Sequence, residues 1–401
     1  MATNKIKSGV SYDILAVPEI QLLFKSLSSE GAEVFLVGGC VRDSVLGLPS
    51  SDFDLATNAL PSEVLKLCKK FRFKTVKTGV SHGTVSVVFA ESLFHVTTFR
   101  SDLVTDGRHA KVKFSKSYLE DCKRRDFTIN AMYMTVEGQI LDPLGGRRDL
   151  ISGKVRFIGK PNDRIKEDYL RILRYFRFVA YYGFAMSYIQ PNVRSAFVEN
   201  VDGLKSLSKE RIWSEIKKLL QADNPLFALE AMSLCGVLEV VIPKAEIRDL
   251  ITLLGFEKRF HLQADALNRL VSLTRDTVAS LILDWPMSKR DRDQVKMILK
   301  VSRDNSSLRV KSYKYGKELT LRSLLIFQDD LCERKETEII SEIDFGCSKK
   351  FPLTSKDFIV YEEPSKQLGD LIRKIKTIWL ESNMSLTKKE LLARLKVMKT
   401  S

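Results

Sequence analysis

The stretch FLVGGCVRDSVLGLPSSDFDLAT, residues 35–57, decides how this chain is read. An apolar run ends in two glycines, meets an Arg-Asp pair, and resumes around two aspartates one residue apart. Side chains two apart on a strand share a face, so Asp52 and Asp54 project together while Phe53 turns into the core. Two like charges on one face repel, and something positive belongs between them. A strand-borne carboxylate pair is a hard oxygen site suited to Mg2+, which also takes water and substrate phosphate oxygens. Such a metal neutralises charge on a transferring phosphoryl group and lowers the pKa of an attacking hydroxyl. Upstream, Gly38 and Gly39 allow close backbone approach to phosphates, Arg42 supplies a charged fork for their oxygens, and Asp43 is placed to hold that Arg. A surface loop whose aspartates cap a helix would explain DFD alone. It does not explain GGCVRD about ten residues earlier.

Composition narrows the class. With 401 residues, 44% of them hydrophobic and 29% charged, the chain is long enough for two or more domains with real cores. Lys and Arg outnumber Asp and Glu, 65 to 50, and a formal charge of +15 favours a polyanionic partner, most commonly nucleic acid. The cysteines (Cys40, Cys68, Cys122, Cys235, Cys332, Cys347) are scattered without CxxC, which suits a reducing compartment and argues against structural zinc. No secretion signal and no run of ~18 apolar residues is evident. The expectation is a soluble, intracellular protein without a membrane partner: cytoplasmic, or mitochondrial in a eukaryote.

The first third alternates β-like runs with turns: EVFLVGG (33–39), FRFKTVKTG (71–79), GTVSVVFA (83–90) and LFHVTTFR (93–100). Between them, Ser62 is placed to cap a helix over LPSEVLKLCKKF. The turn-dense DPLGGRRDLISGK (142–154) marks the edge of this α/β part. Helical periodicity follows, with Asn162 or Asp163 as the expected cap of NDRIKEDYLRILRYFRFVAYYGF and Gly183 near its end. A basic, loop-interrupted stretch covers 288–322, and Thr387 with Glu390 fits a capping box near the C-terminus. The fold class is α+β: a small head of mixed sheet and helices, then an all-helical remainder.

Further motifs support the first. KRRDFTINAM (123–132) places Arg125, Asp126 and Asn130 close in sequence; a basic strand end would explain KRRD but not Asn130. In EDYLRILRYFRF (167–178), Asp168, Arg171, Arg174 and Arg177 recur every three residues and form one ridge of about 13.5 Å along a helix. A solvated helix face with i,i+3 salt bridges is the plain alternative for that row.

Together these motifs resemble the nucleotidyltransferases of the DNA polymerase β superfamily, and more narrowly the class II tRNA nucleotidyltransferases (CCA-adding enzymes) and bacterial poly(A) polymerases. The resemblance is specific over residues 35–220 and weaker beyond. It implies a polymerase β-like head (1–150), a helical neck with base recognition (151–220), and a body (221–330) and tail (331–401) that bind RNA. It implies Asp52 and Asp54 as the catalytic, Mg2+-holding pair, with Gly38, Gly39, Arg42, Arg125, Asp126 and Asn130 around the nucleotide. Asp168 and Arg171 would read the Watson–Crick edge of C or A, with Arg174 and Arg177 nearer the phosphates. Asp accepts from an exocyclic amino group that U lacks. DPLGGRRDL is thought to act as a hinge in the family, the loop at 101–115 is a candidate for retuning the pocket from C to A, and Glu210, Arg211 and Glu215 would brace the following helix. The implied reaction adds C and A, taken from CTP and ATP with release of pyrophosphate, to the tRNA 3′ end. Poly(A) addition, A-only addition and a catalytically dead RNA-binding protein remain open. Where family members commonly carry Glu before VTTFR, this chain has His95, which puts a third carboxylate in question.

Overall fold

Four consecutive apolar residues, Val34–Val37, form strand β1, and all four are buried. An unbroken apolar run is what a central strand covered on both faces requires. The computed structural model describes residues 13–400 except 51, 77–78, 90–91, 106–109, 184–188, 276, 328–333 and 360–365. Helix α1 (Pro18–Ser28) precedes β1, and Gly38, at φ 79°, ends the strand and opens helix α2 (Gly39–Val45). Strand β2 (Phe53–Thr57) returns antiparallel, with Asp54 opposite Val37. Helix α3 (Pro61–Lys70) leads to β3 (Lys74–Val76), β4 (Thr84–Phe89) and β5 (Ser92–Thr98). Strands β6 (Arg100–Thr105) and β7 (Ala110–Phe114) pair as a separate hairpin, followed by α4 (Tyr118–Arg124), β8 (Tyr133–Met134) and β9 (Ile140–Leu141).

Among the described residues the main sheet runs β3-β4-β5-β2-β1-β8-β9, antiparallel except where β2 lies parallel to β5. Phe35, Val37, Ala56, Phe99 and Tyr133 pack into one core on it. The helices α5 (Gly146–Ile151), α6 (Pro161–Glu167), α7 (Leu170–Tyr182), α8 (Pro191–Asn200), α9 (Lys209–Leu220), α10 (Leu226–Leu234) and α11 (Val237–Val241) follow. This mixed sheet followed by helices is the expected α+β class.

The chain divides into two compact units, one ending at Ala245 and the other beginning at Glu246. The second contains α12 (Ile247–Arg259), α13 (Ala266–Thr274), α14 (Val278–Asp284), α15 (Lys289–Ser302), α16 (Leu308–Tyr315), α17 (Lys317–Phe327), α18 (Glu336–Ser348), α19 (Ser355–Ile359), α20 (Lys366–Glu381) and α21 (Lys388–Thr400). Val310, Phe358, Ile375, Trp379 and Leu391 form a core there. Gly346 sits inside α18, where glycine is costly to a helix, for a packing reason. A Cβ at that position would lie 2.0 Å from the Arg309 carbonyl oxygen of α16. Gly346→Ala should therefore destabilise this unit by about 3 kcal/mol, read as a lower urea midpoint.

Several local expectations change. Leu60, not Ser62, precedes α3; its N–H donates to the Glu63 carboxylate at 2.7 Å, while Pro61 takes the first helical position. Likewise Lys160 and Pro161, not Asn162 or Asp163, start α6. Proline suits a first position because its missing N–H would be unpaired there anyway. The 142–154 segment is more than a turn: the Asp142 carboxylate accepts from the N–H groups of Gly146 (2.7 Å) and Arg147 (2.9 Å) and caps α5. Two other expectations hold: the basic 288–322 stretch is α15, α16 and the start of α17, interrupted at 303–307 and 316. The Thr387–Glu390 capping box is present, with Thr387 N–H donating to Glu390 at 2.8 Å and Glu390 N–H to the Thr387 hydroxyl at 3.4 Å. Among the described residues no helix is long and apolar enough to cross a membrane.

Candidate active site

Phe53 is buried and stacks on Phe94 at 5.2 Å, so Asp54 on the next position turns to the other face of the sheet. Asp52 stands exposed just before β2. Gly38 lies over Asp54: a Cβ at 38 would sit 3.7 Å from Asp54 Oδ2 and 3.8 Å from Arg125 Nη1. With φ positive as well, only glycine suits this turn. Burial pushes the Asp54 carboxyl up from its ordinary range, against the pull of His95 and Arg125. Among the described residues neither Asp52 nor Asp54 has a hydrogen-bond or ion-pair partner for its carboxylate.

Two hard, unpartnered carboxylates, one of them half-buried, fit a divalent cation. His95 is the parallel-register neighbour of Asp54, and its Nδ1 lies 2.9 Å from the Ser86 hydroxyl. Among the described residues no group of three or more His, Cys, Asp or Glu side chains is gathered for a metal. His82 ends a short turn (Val80–His82), and His109 lies outside the described residues together with the tip of the 101–115 loop.

Among the described residues, Asp43, Asp121, Asp126 and Glu215 near this pair are each matched to arginine. Arg42 is buried on α2; its Nε donates to Asp43 Oδ1 at 3.0 Å and its Nη1 to Asn130 Oδ1 at 2.6 Å. Asn130 in turn donates to Asp126 at 3.1 Å, and Arg174 Nε meets the other Asp126 oxygen at 2.7 Å. Burial alone would raise Asp126, but Arg174 and Asn130 hold it down at about 2. Arg125 donates to Asp121 at 3.0 Å and to the Tyr133 hydroxyl at 3.0 Å, and Tyr133 donates to Asp121 at 2.6 Å. Glu215 pairs with Arg177 at 3.0 Å and Arg174 at 3.9 Å, which bears out Glu215 as a brace.

The ridge expected from Asp168 to Arg177 is not one helix. Asp168 sits in extended backbone between α6 and α7 (φ −157°, ψ 106°), while Arg171, Arg174 and Arg177 lie on α7. Its Oδ1 accepts from the Leu170 N–H at 3.1 Å and its Oδ2 from Arg211 at 2.7 Å. The break turns the carboxylate into a cap for the next helix, and Arg211 braces it from α9. Arg171 donates to Glu167 at 2.6 Å and to the Arg164 carbonyl at 2.8 Å. Asp121, Tyr133, Phe178 and Tyr182 were not expected at the site. Asp121 carried a local signal, four residues before Arg125 on a helical pattern. Tyr182 carried none, because its partner Asp43 is 139 residues away.

Comparisons with known proteins agree with this arrangement. Residues 34–156 match the family model described as poly A polymerase head domain, and 188–247 match a probable RNA and SrmB-binding site of polymerase A. The chain is 32% identical to the mitochondrial CCA tRNA nucleotidyltransferase 1 of Mus musculus, over 95% of this chain and 92% of that protein. It is 40% identical to the CCA-adding enzyme of Bacillus subtilis over 55% of this chain and 53% of that one. The fold is similar to the crystal structure of the Bacillus stearothermophilus CCA-adding enzyme in complex with CTP, with a TM-score of 0.70 and 26% identity over 95% of this chain and 97% of that one. Likeness along nearly the full length of such relatives, carried by a head with an open aspartate pair and an arginine-lined wall, means that this chain belongs to the CCA-adding nucleotidyltransferase family.

Proposed function

We propose that this protein adds C and A to the 3′ end of tRNA without a nucleic-acid template, taking them from CTP and ATP and releasing pyrophosphate. One observation carries the reading: Asp52 and Asp54 alone among the acids named at this site lack a partner, while the surrounding arginines are held in place. Mg2+ is the cation proposed for that pair; when bound, it supplies charge neutralisation at the transferring phosphoryl group.

The remaining work falls to the chain's own groups. The tRNA 3′-hydroxyl gives up its proton to water as its oxygen attacks the α-phosphorus, the bond to the bridging oxygen breaks, and pyrophosphate leaves. Gly38 and Gly39 let backbone approach the triphosphate, and Arg42, Arg174 and Arg177 bring positive charge to its oxygens. Arg42 has five N–H donors, so contacts to Asp43 and Asn130 leave donors free. Arg125, Asp126 and Asn130 flank the ribose and phosphates. Asp168 accepts from the exocyclic amino group of C or A, and Arg171 donates to the base. Leu170 and Arg211 take one lone pair on each Asp168 oxygen, and each oxygen keeps another. In this proposal 1–150 is the catalytic head, 151–220 the neck, and 221–330 and 331–401 the RNA-binding body and tail. Free thiols at Cys40, Cys68, Cys122, Cys235 and Cys347 suit action in a reducing compartment, cytoplasmic or mitochondrial.

The test is incubation with Mg2+, labelled CTP or ATP separately, and tRNA ending at the discriminator base, at -C or at -CC. Label from CTP on the first two and from ATP on the third is expected; A tails on any RNA would mean a poly(A) polymerase. Asp168→Ala should lower the preference for CTP over UTP by about 10- to 100-fold, measured as the ratio of kcat/KM values.

A further inference from the structure

Tyr182 ends α7, and its side chain reaches back to α2. The hydroxyl donates to Asp43 Oδ1 at 2.9 Å, the same oxygen that accepts from Arg42 Nε at 3.0 Å. The Tyr182 ring lies under the Arg42 guanidinium, 4.4 Å from its carbon to the ring centroid. Arg42 is thus fixed on its edge by Asp43 and Asn130 and on its face by Tyr182.

The setting explains why such fixing matters. The Phe178 ring, one turn earlier on α7, is approached by Arg42 at 5.2 Å, Arg174 at 5.6 Å and Arg177 at 4.4 Å. Three guanidinium groups gathered around one ring repel one another, and each needs a separate restraint. Arg174 and Arg177 have Asp126 and Glu215. Arg42 has Asp43, whose shared oxygen also accepts from the Tyr182 hydroxyl. Burial raises that phenol above the usual tyrosine range, so it stays a donor at any working pH.

We propose that Tyr182 is a positioning residue for nucleotide binding: its ring and hydroxyl hold Arg42, through Asp43, in the orientation in which the free guanidinium N–H groups meet a nucleoside triphosphate. This rests on the reading of Arg42 as a phosphate ligand. The relevant chemistry is a planar cation pre-ordered for an anion, where fixing the rotamer beforehand lowers the cost of binding. It also joins the base-reading end of α7 and the phosphate-binding Arg of α2 through a single helix.

The test uses the full chain and its Tyr182→Phe, Tyr182→Leu and Arg42→Ala variants, with Tyr182→Leu also made in the Arg42→Ala background. CTP affinity in Mg2+ is measured by calorimetry, together with tRNA affinity and the urea midpoint. Tyr182→Phe keeps the ring and should weaken CTP by about 3- to 10-fold, while Tyr182→Leu also removes the cation–π contact and should weaken it by about 10- to 30-fold. Affinity for tRNA should stay within about twofold, and Tyr182→Leu should add nothing once Arg42 is gone. A Tyr182→Leu variant that binds CTP normally while Arg42→Ala does not would overturn the proposal. So would an equal loss from Tyr182→Leu with and without Arg42. If Arg42→Ala itself leaves CTP affinity unchanged, the reading of Arg42 fails, and the proposal with it. If Tyr182→Leu does not fold, Tyr182→Phe decides alone: unchanged CTP affinity at an unchanged urea midpoint rejects the role.

Discussion

Asp54→Ala is expected to lower nucleotide transfer by about 1000-fold or more, with tRNA affinity unchanged. The size follows from what the carboxylate does. It stands half-buried beneath Gly38, without a partner among the described residues, and with Asp52 it is the donor set proposed for a divalent cation. Removing one of two carboxylates removes the charge that would hold that cation at the reacting phosphate. Stability should move the other way. Burial disfavours the charged form of Asp54, so Asp54→Asn should unfold at a urea concentration no lower than the native protein does in EDTA. A functional acid that is a cost to folding would show up as lost activity with retained stability. Equal losses of transfer and of tRNA binding would mean that the aspartates are structural.

Asp121→Asn should have the largest effect on stability. Asp121 is fully buried and receives Arg124 at 2.7 Å, Arg125 at 3.0 Å and the Tyr133 hydroxyl at 2.6 Å. Burial by itself would raise its carboxyl, but the two arginines and Tyr133 bring it down from 3.8 to about 2. The amide would leave a buried guanidinium without its counter-charge, at a cost of about 3–5 kcal/mol. The pH dependence has a definite sign. A carboxyl lower in the folded than in the unfolded state stabilises above the unfolded value, and the contribution is lost as pH falls from about 4 towards about 2. For Asp121 that contribution is about 2 kcal/mol. Urea midpoints between pH 7 and pH 2 should therefore fall less steeply for Asp121→Asn than for the native chain. Some slope should remain, because Asp126 is also held at about 2.

Those two residues also mark how far the sequence could be read. Asp54 was legible: alternation along a strand, two glycines and a positive neighbour are local signals. The α+β class, the central β1 run and the capping box at Thr387 were legible for the same reason. The setting of Asp168 was not legible. Its spacing from Arg171 fits a helix, yet the chain breaks there and the carboxylate caps α7 instead. Periodicity cannot distinguish one helix from two that meet at a capping acid. Pro61 and Pro161 displaced the expected Ser and Asn caps, since a proline at the first turn competes with the N-cap rule. Least legible were the partners. Asp126 with Arg174, Arg211 with Asp168 and Tyr182 with Asp43 are 43 to 139 residues apart, and only folding brings them together.

The most direct measurement is the 3′-end sequence of tRNA that lacks its last three nucleotides, after incubation with the protein, CTP, ATP and Mg2+. The predicted product ends in CCA and extends no further, and the Asp54→Ala variant leaves the tRNA as supplied. A heterogeneous A tail, A added only to tRNA already ending in -CC, or no extension by the native protein would contradict the assignment.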